Sequence, residues 1–182
     1  MDRVRADQIG MLATVMNAIY LSEAFKRYGV KSVVMTPVPF ANMTTVYDKY
    51  SALSLMSEGV VIFHAAGLCH PFFSTDSVAA LRGAELEVNR VLYTKNGVGG
   101  VFDRVPTPDN NARMYKNLPY STAISKQLQF VDGAALSILI EADLASFVFG
   151  LNEENSIVRA CSEPDPSFGT VLDTNIEEEF YV

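Results

Sequence analysis

Apolar positions follow two rhythms along this chain. Residues 7–28 place Met11, Leu12, Val15, Ile19 and Leu21 at helical spacing and stop at Gly29, which predicts a helix. Residues 31–35 are rich in valine and read as a strand, with Pro37 and Pro39 breaking the pattern behind it. A second helix is predicted over 44–57, closing near Gly59. The run Val60-Val61-Ile62-Phe63 that follows suits a strand buried on both faces. The same reading predicts helices over 76–87, 120–128, 131–142 and 153–160, and strands over 90–93, 146–149 and 170–172. Strands alternating with helices predict an α/β domain with a mainly parallel sheet and helices on both faces. Ligands in such sheets sit beyond the carboxyl ends of the strands. Attention therefore falls on residues 36–40, 67–76, 95–106 and 150–154.

The 182 residues predict one domain spanning 1–182, long enough to bury a core. A hydrophobic share of 49% against 19% charged is that of a folded chain rather than a disordered one. The net charge of −7 argues against a general nucleic-acid binder, which needs a basic surplus, and leaves room for a single nucleotide. Two cysteines, Cys69 and Cys161, make no disulfide framework and imply a reducing cytoplasm. No apolar run approaches the length of a membrane span, and residues 1–7 carry charge rather than a signal sequence. With only His64 and His70 beside those cysteines, no metal site is predicted from protein ligands.

Three stretches carry candidate chemistry. Gly67-Leu68-Cys69-His70-Pro71-Phe72-Phe73-Ser74-Thr75-Asp76 leaves a buried strand and enters a helix. Hydroxyls beside the free amides of a helix start form a site for phosphate, and they equally form a plain helix cap. Tyr93-Thr94-Lys95-Asn96-Gly97-Val98-Gly99-Gly100-Val101-Phe102-Asp103 has glycines that let the backbone approach a ligand, donors at Lys95 and Asn96, and a flat ring at Phe102. It fits neither the Walker pattern nor the dinucleotide fingerprint. In Asp7-Gln8-Ile9-Gly10-Met11-Leu12-Ala13-Thr14, Asp7 has two carboxylate oxygens to accept both hydroxyls of a ribose, and it also suits a helix start.

The three stretches together resemble the bacterial UMP kinases. Asp7 to Asn17 resembles that family's D-x-M-G-M-L-A-T-x-x-N, and Pro71-Phe72-Phe73-Ser74-Thr75-Asp76 its T-G-N-P-F-F-T-T-D. Tyr93 to Phe102 is similar to its A-K-N-x-V-D-G-V-Y loop, and Phe130-Val131-Asp132-Gly133-Ala134-Ala135 to its V-M-D-x-x-A. Phe149-Gly150-Leu151-Asn152 and Gly169-Thr170-Val171 resemble V-F-N-M-N and the closing G-T-x-V, in the family's order. The resemblance implies the amino-acid-kinase fold, a three-layer α/β/α sandwich. It implies transfer of the γ-phosphate of ATP to UMP, with Mg²⁺ accompanying ATP, in cytoplasmic pyrimidine nucleotide synthesis. By position it implies that Asp7 and the loop of Leu68, Cys69, His70, Pro71, Phe72, Phe73, Ser74 and Thr75 bind UMP. It likewise implies that Asn96, Phe102 and Val105 contact ATP, and that Asp132 and Asp76 serve the transfer. A homo-oligomer, hexameric in the family, and UTP or GTP as effectors come with it.

The chain departs from the family at several positions. The family's K-x-S-G-E turn, G-G-G-N loop and R-G pair have no counterpart before Asp7, so a domain incomplete at its N-terminus with open strand edges is expected. T-G-N is Leu68-Cys69-His70, the aspartate of V-D-G-V is Gly99, and the aspartate three residues after the aromatic is Val105. The expectation is a UMP kinase-like phosphotransferase that is truncated or impaired. The alternative is a non-catalytic nucleotide- or anion-binding, storage or regulatory relative on the same scaffold.

Overall fold

The first helix, α1 (Arg3–Arg27), starts earlier than its apolar stripe because Asp2 caps it, its carboxylate accepting from the Arg5 amide at 3.1 Å. Gly29 takes φ +78° beyond its end, a conformation that suits glycine, and the Val30 amide donates back to the Phe25 carbonyl. Met11, Val15, Ala18 and Ile19 share the core face; Leu12 and Leu21, predicted to face inward with them, are exposed. The buried stripe runs through positions 11, 15, 18 and 22 at spacings of three and four, and positions 12 and 21 fall to its two margins.

The computed structural model describes residues 1–152, 154–162 and 168–181, and the chain divides into two compact units, Met1–Val78 and Ala79–Val182. In the first unit, α1 is followed by β1 (Ser32–Thr36), β2 (Thr45–Val46), α2 (Lys49–Ser57) and β3 (Val61–His64). The strands form a parallel sheet in the order β2-β1-β3, with Ser32 opposite Val61 and Met35 opposite both His64 and Thr45. Helix α1 packs Val15 and Ala18 on Val34, Ala65 and Ala66. The helix predicted over 44–57 begins only at Lys49. Residues 45–46 pair with β1 instead, and Asp48 caps α2 by accepting from the Ser51 amide at 2.8 Å.

Helix α3 (Thr75–Glu85) runs from the first unit into the second. The second unit continues with β4 (Val91–Lys95), β5 (Tyr115–Pro119), α4 (Tyr120–Ser125), α5 (Gly133–Glu141), β6 (Ser146–Gly150), α6 (Ser156–Ser162), β7 (Thr170–Asp173) and β8 (Glu179–Phe180). Its five strands lie in the order β4-β6-β7-β5-β8. Pairs β4–β6 and β5–β7 are parallel, and β6–β7 and β5–β8 are antiparallel. Every residue of β6 is buried, as its unbroken apolar run requires. Tyr115, Leu118, Tyr120, Leu139, Val148 and Leu172 form the centre of a large core. The predicted helix start at Glu153 lies outside the described residues, and α6 begins at Ser156. Strands β5 and β8 were not expected. The first ends in a proline, and the second lies in an acidic run that carries no strand signal. Among the described residues no helix is long and apolar enough to cross a membrane.

Candidate functional site

In the first unit the site is built where β3 ends. The chain leaves β3 through Ala65 and Ala66, both buried, and turns repeatedly, with Ala66, Gly67, Cys69 and Phe72 all at positive φ between 58° and 72°. Three of these are not glycine, and such strain persists only where surrounding bonds hold it. Two bonds to α1 do so. The Ala66 amide donates to Thr14 Oγ1 at 2.9 Å, while that hydroxyl donates to the Met11 carbonyl. The Phe72 amide donates to Asp7 Oδ2 at 2.8 Å. The Arg3 side chain donates through Nε to both Asp7 oxygens at 2.8 and 2.9 Å, and its guanidinium lies 5.5 Å from the Phe72 ring centre. The Phe72 amide, then Arg3, hold the Asp7 carboxyl below the usual carboxylate range.

The loop then enters α3. Ser74 Oγ accepts from the amides of Asp76 and Ser77 at 3.0 and 3.2 Å, so Ser74 is the cap. Thr75 opens the helix with an exposed side chain, and Asp76 lies in the first turn, where a negative charge suits the helix dipole. Leu68, Cys69 and Pro71 are half-buried and His70 is exposed. Burial pushes the Cys69 thiol up, away from thiolate chemistry. Phe72 and Phe73 are exposed, so this ring pair is not core. Asp7, Pro71, Phe72 and Ser74 are thus gathered around one loop, with Arg3 joining them. The sequence offers Arg3 as a charge ahead of Asp7, and the spacing of four between them on one helix is the signal that pairs the two.

A cavity of about 580 Å³ lies in the second unit, lined by Lys95, Gly100, Phe102, Asp103, Arg104, Val105, Lys126, Gln127, Gln129 and Phe130 among others. Phe102 and Val105 are brought together here; Asn96 is next to the cavity in sequence and lies 3.4 Å from the Asn152 amide, but does not line it. Val105 is exposed with an apolar side chain, and its carbonyl accepts from Asn110 Nδ2 at 2.8 Å. The carboxylate of this turn is Asp103. It accepts from Arg104 at 3.2 Å and from the Arg113 amide at 3.0 Å. Arg104 first, and Arg113 after it, hold the Asp103 carboxyl down. Cationic Lys126 and the two glutamines were not anticipated, because they come from the end of α4, far along the chain from the glycine loop.

Gly100 is fixed by the protein's own packing. A Cβ there would meet Thr170 Oγ1 at 2.7 Å and Met114 Sδ at 2.9 Å. Thr170 Oγ1 accepts from the Val101 amide at 2.9 Å and donates to the Tyr115 carbonyl. Asp132 caps α5, its Oδ1 accepting from the amides of Ala134 and Ala135 at 2.8 and 3.0 Å. Among the described residues no group of three or more histidine, cysteine, aspartate or glutamate side chains is placed to hold a metal ion.

Comparison with known proteins follows the same lines. The profile described as the amino acid kinase family matches residues 1–149. The fold is similar to that of UMP kinase from Bacillus anthracis (TM-score 0.93, 28% identity, covering 100% of this chain and 74% of that one). UMP kinase from Ureaplasma parvum is 31% identical at a TM-score of 0.88, over 95% of this chain and 73% of its own. Uridylate kinase from Archaeoglobus fulgidus, at 24% identity and a TM-score of 0.67, shares the fold.

Proposed function

Because this chain belongs to the amino acid kinase family, and within it to the UMP kinases, we propose that it binds UMP and ATP and carries the γ-phosphoryl group of ATP to UMP, giving ADP and UDP. The observation that carries this reading is the Asp7 carboxylate bonded to the Phe72 amide. It ties α1 to a strained loop that ends in a hydroxyl-capped helix start. In this reading Asp7 accepts from the ribose hydroxyls, and the loop from Leu68 to Thr75 surrounds the base and the phosphate. Phe102 and the exposed Val105 flank the adenine nucleotide, with Asn96 beside them. Asp132 and Asp76 serve the transfer, which rests on positioning and charge neutralisation. Magnesium enters on the phosphates of ATP, since this ion keeps waters and needs one or two carboxylates rather than a protein cage.

The same reading makes the protein a cytoplasmic enzyme of pyrimidine nucleotide synthesis, with UTP or GTP as effectors. It also makes it a homo-oligomer, hexameric by analogy. The exposed apolar row Ile9, Leu12, Met16 and Tyr20 on α1 supports association between copies.

The test is calorimetric titration of UMP into the protein and into Asp7→Asn. Losing a charge-assisted hydrogen bond costs about 1.5–3 kcal/mol, so affinity falls by roughly 10- to 150-fold. UMP binding unaffected by the substitution, or absent from both proteins, overturns the reading.

A second reading, non-catalytic nucleotide binding or regulation, is favoured by Gly99 and Val105, which stand where the family carries carboxylates. A coupled assay of UDP formation separates the two. Turnover abolished by removing Mg²⁺ supports transfer, and binding without turnover supports the second reading.

A further inference from the structure

Lys126 follows the last turn of α4 and lines the cavity of the second unit. Its ammonium donates to two oxygens, Tyr115 Oη at 3.0 Å and Glu178 Oε1 at 2.8 Å. Glu178 belongs to the acidic run Glu177-Glu178-Glu179, which leads into β8. That short strand is pinned at several points. Glu179 accepts from Lys116 Nζ at 3.1 Å and Asn117 Nδ2 at 2.8 Å. The Phe180 ring stacks on Tyr115 with centres 4.2 Å apart, and the Arg113 guanidinium lies over the Phe180 ring, 4.0 Å from its centre. The Tyr181 amide donates to the Met114 carbonyl, and the Tyr181 hydroxyl to the Gly169 carbonyl.

These contacts hold a carboxylate against a cation of the cavity wall. Arg104, another cation of that wall, already has Asp103 as its counter-ion. The Lys126–Glu178 pair is open to solvent, with side chains 42% and 34% exposed. Ion pairs so exposed contribute little and exchange readily. An anion entering the cavity therefore competes with Glu178 for Lys126 on nearly even terms.

We propose that Lys126 is a phosphate-binding residue of this cavity, and that Glu178 on the C-terminal strand is its displaceable counter-ion, so that the tail sets the affinity for a polyphosphate. The proposal rests on the reading of this cavity as a nucleotide site. Glu178 then acts on the ligand only through Lys126, and is a positioning residue.

The test titrates MgATP, and separately inorganic tripolyphosphate, into the full chain and into Glu178→Gln, Lys126→Met and the double variant, at low and high salt. Freed from its carboxylate, Lys126 binds the polyphosphate about 2- to 5-fold more tightly in Glu178→Gln, the range of an exposed ion pair. The gain fades at high salt and is missing from the double variant, because without Lys126 there is nothing to release. A merely structural tail shifts the melting temperature of Glu178→Gln and leaves affinity and its salt dependence alone. Binding by the unsubstituted chain that is unchanged or weakened in Glu178→Gln overturns this proposal and leaves the nucleotide reading standing. Absence of binding from both chains overturns the two together.

Discussion

Tyr120 is buried at the start of α4, its hydroxyl donating to the Leu144 carbonyl at 2.8 Å and lying 3.0 Å from Ser146 Oγ. Burial is the main cause that pushes its phenol up to about 12. The unfolded chain releases this proton near pH 10 and the folded chain keeps it to about 12. The stabilisation is therefore whole below pH 10 and is lost as pH rises through that window. Tyr120→Phe leaves the Ser146 hydroxyl and the Leu144 carbonyl without this partner in a closed core, at a cost of about 1–3 kcal/mol. Denaturant unfolding at pH 8 and pH 11 checks both statements. The variant is less stable at pH 8, and its deficit shrinks at pH 11, where the native protein has lost part of its advantage. At this scale the sequence revealed identities without partners. Asp7 was legible as a carboxylate at a helix start, but the amide it binds is 65 residues away. Asp103 was passed over because its second partner, Arg113, comes across an antiparallel bridge between Phe102 and Met114 that no local pattern announces.

Elements were legible where a single face or a continuous apolar run decided them. Helix α1 and strands β1, β3, β4 and β6 lie within a few residues of their expected places. Pairing partners overrode local preference elsewhere. Residues 45–46 joined β1 and shortened a predicted helix, and β8 formed from an acidic tail because Lys116, Asn117 and Lys126 receive its carboxylates. The glycine loop after β4 shows the same limit. Its glycines were read as room for a ligand, whereas Gly100 is required by Thr170 and Met114. Among the described residues, Gly99 next to it has only Met114 Sδ within reach, at 3.7 Å. The neighbours therefore respond differently to an added methyl group. Gly100→Ala forces Thr170 from its bonds to Val101 and Tyr115 and costs about 1–3 kcal/mol, as overpacking does. Gly99→Ala stays within about 0.5 kcal/mol. Urea denaturation of the two variants measures the difference, and equal stabilities would mean that the loop yields without strain.

At the scale of the whole molecule, strand–helix alternation made the α/β class readable, while the division into two sheets was not. Strand order depends on which β-runs meet, and β7 reaches β6 through Gly169, where the backbone passes too close for a side chain. A Cβ there would meet the Phe147 ring at 2.6 Å and the Val148 carbonyl oxygen at 2.7 Å. The proposed function places the UMP residues 7 and 68–75 in the first unit and the ATP residues 96, 102 and 105 in the second, so it predicts a separate set of protected amides for each ligand. Hydrogen exchange of the full chain separates them. Without ligand, amides of β6, flanked by strands on both sides and buried throughout, exchange slowest, and those of the two-residue edge strands β2 and β8 exchange fastest. Addition of UMP slows the Ala66 and Phe72 amides, because a ribose held on Asp7 suppresses the local opening that frees the loop from α1. Addition of MgATP slows residues 102–105 and 126–130 around the cavity and leaves the first set unchanged. Protection of the same amides by both ligands would reject this assignment of acceptor and donor nucleotides to separate units, since each ligand can slow only the openings that its own contacts oppose.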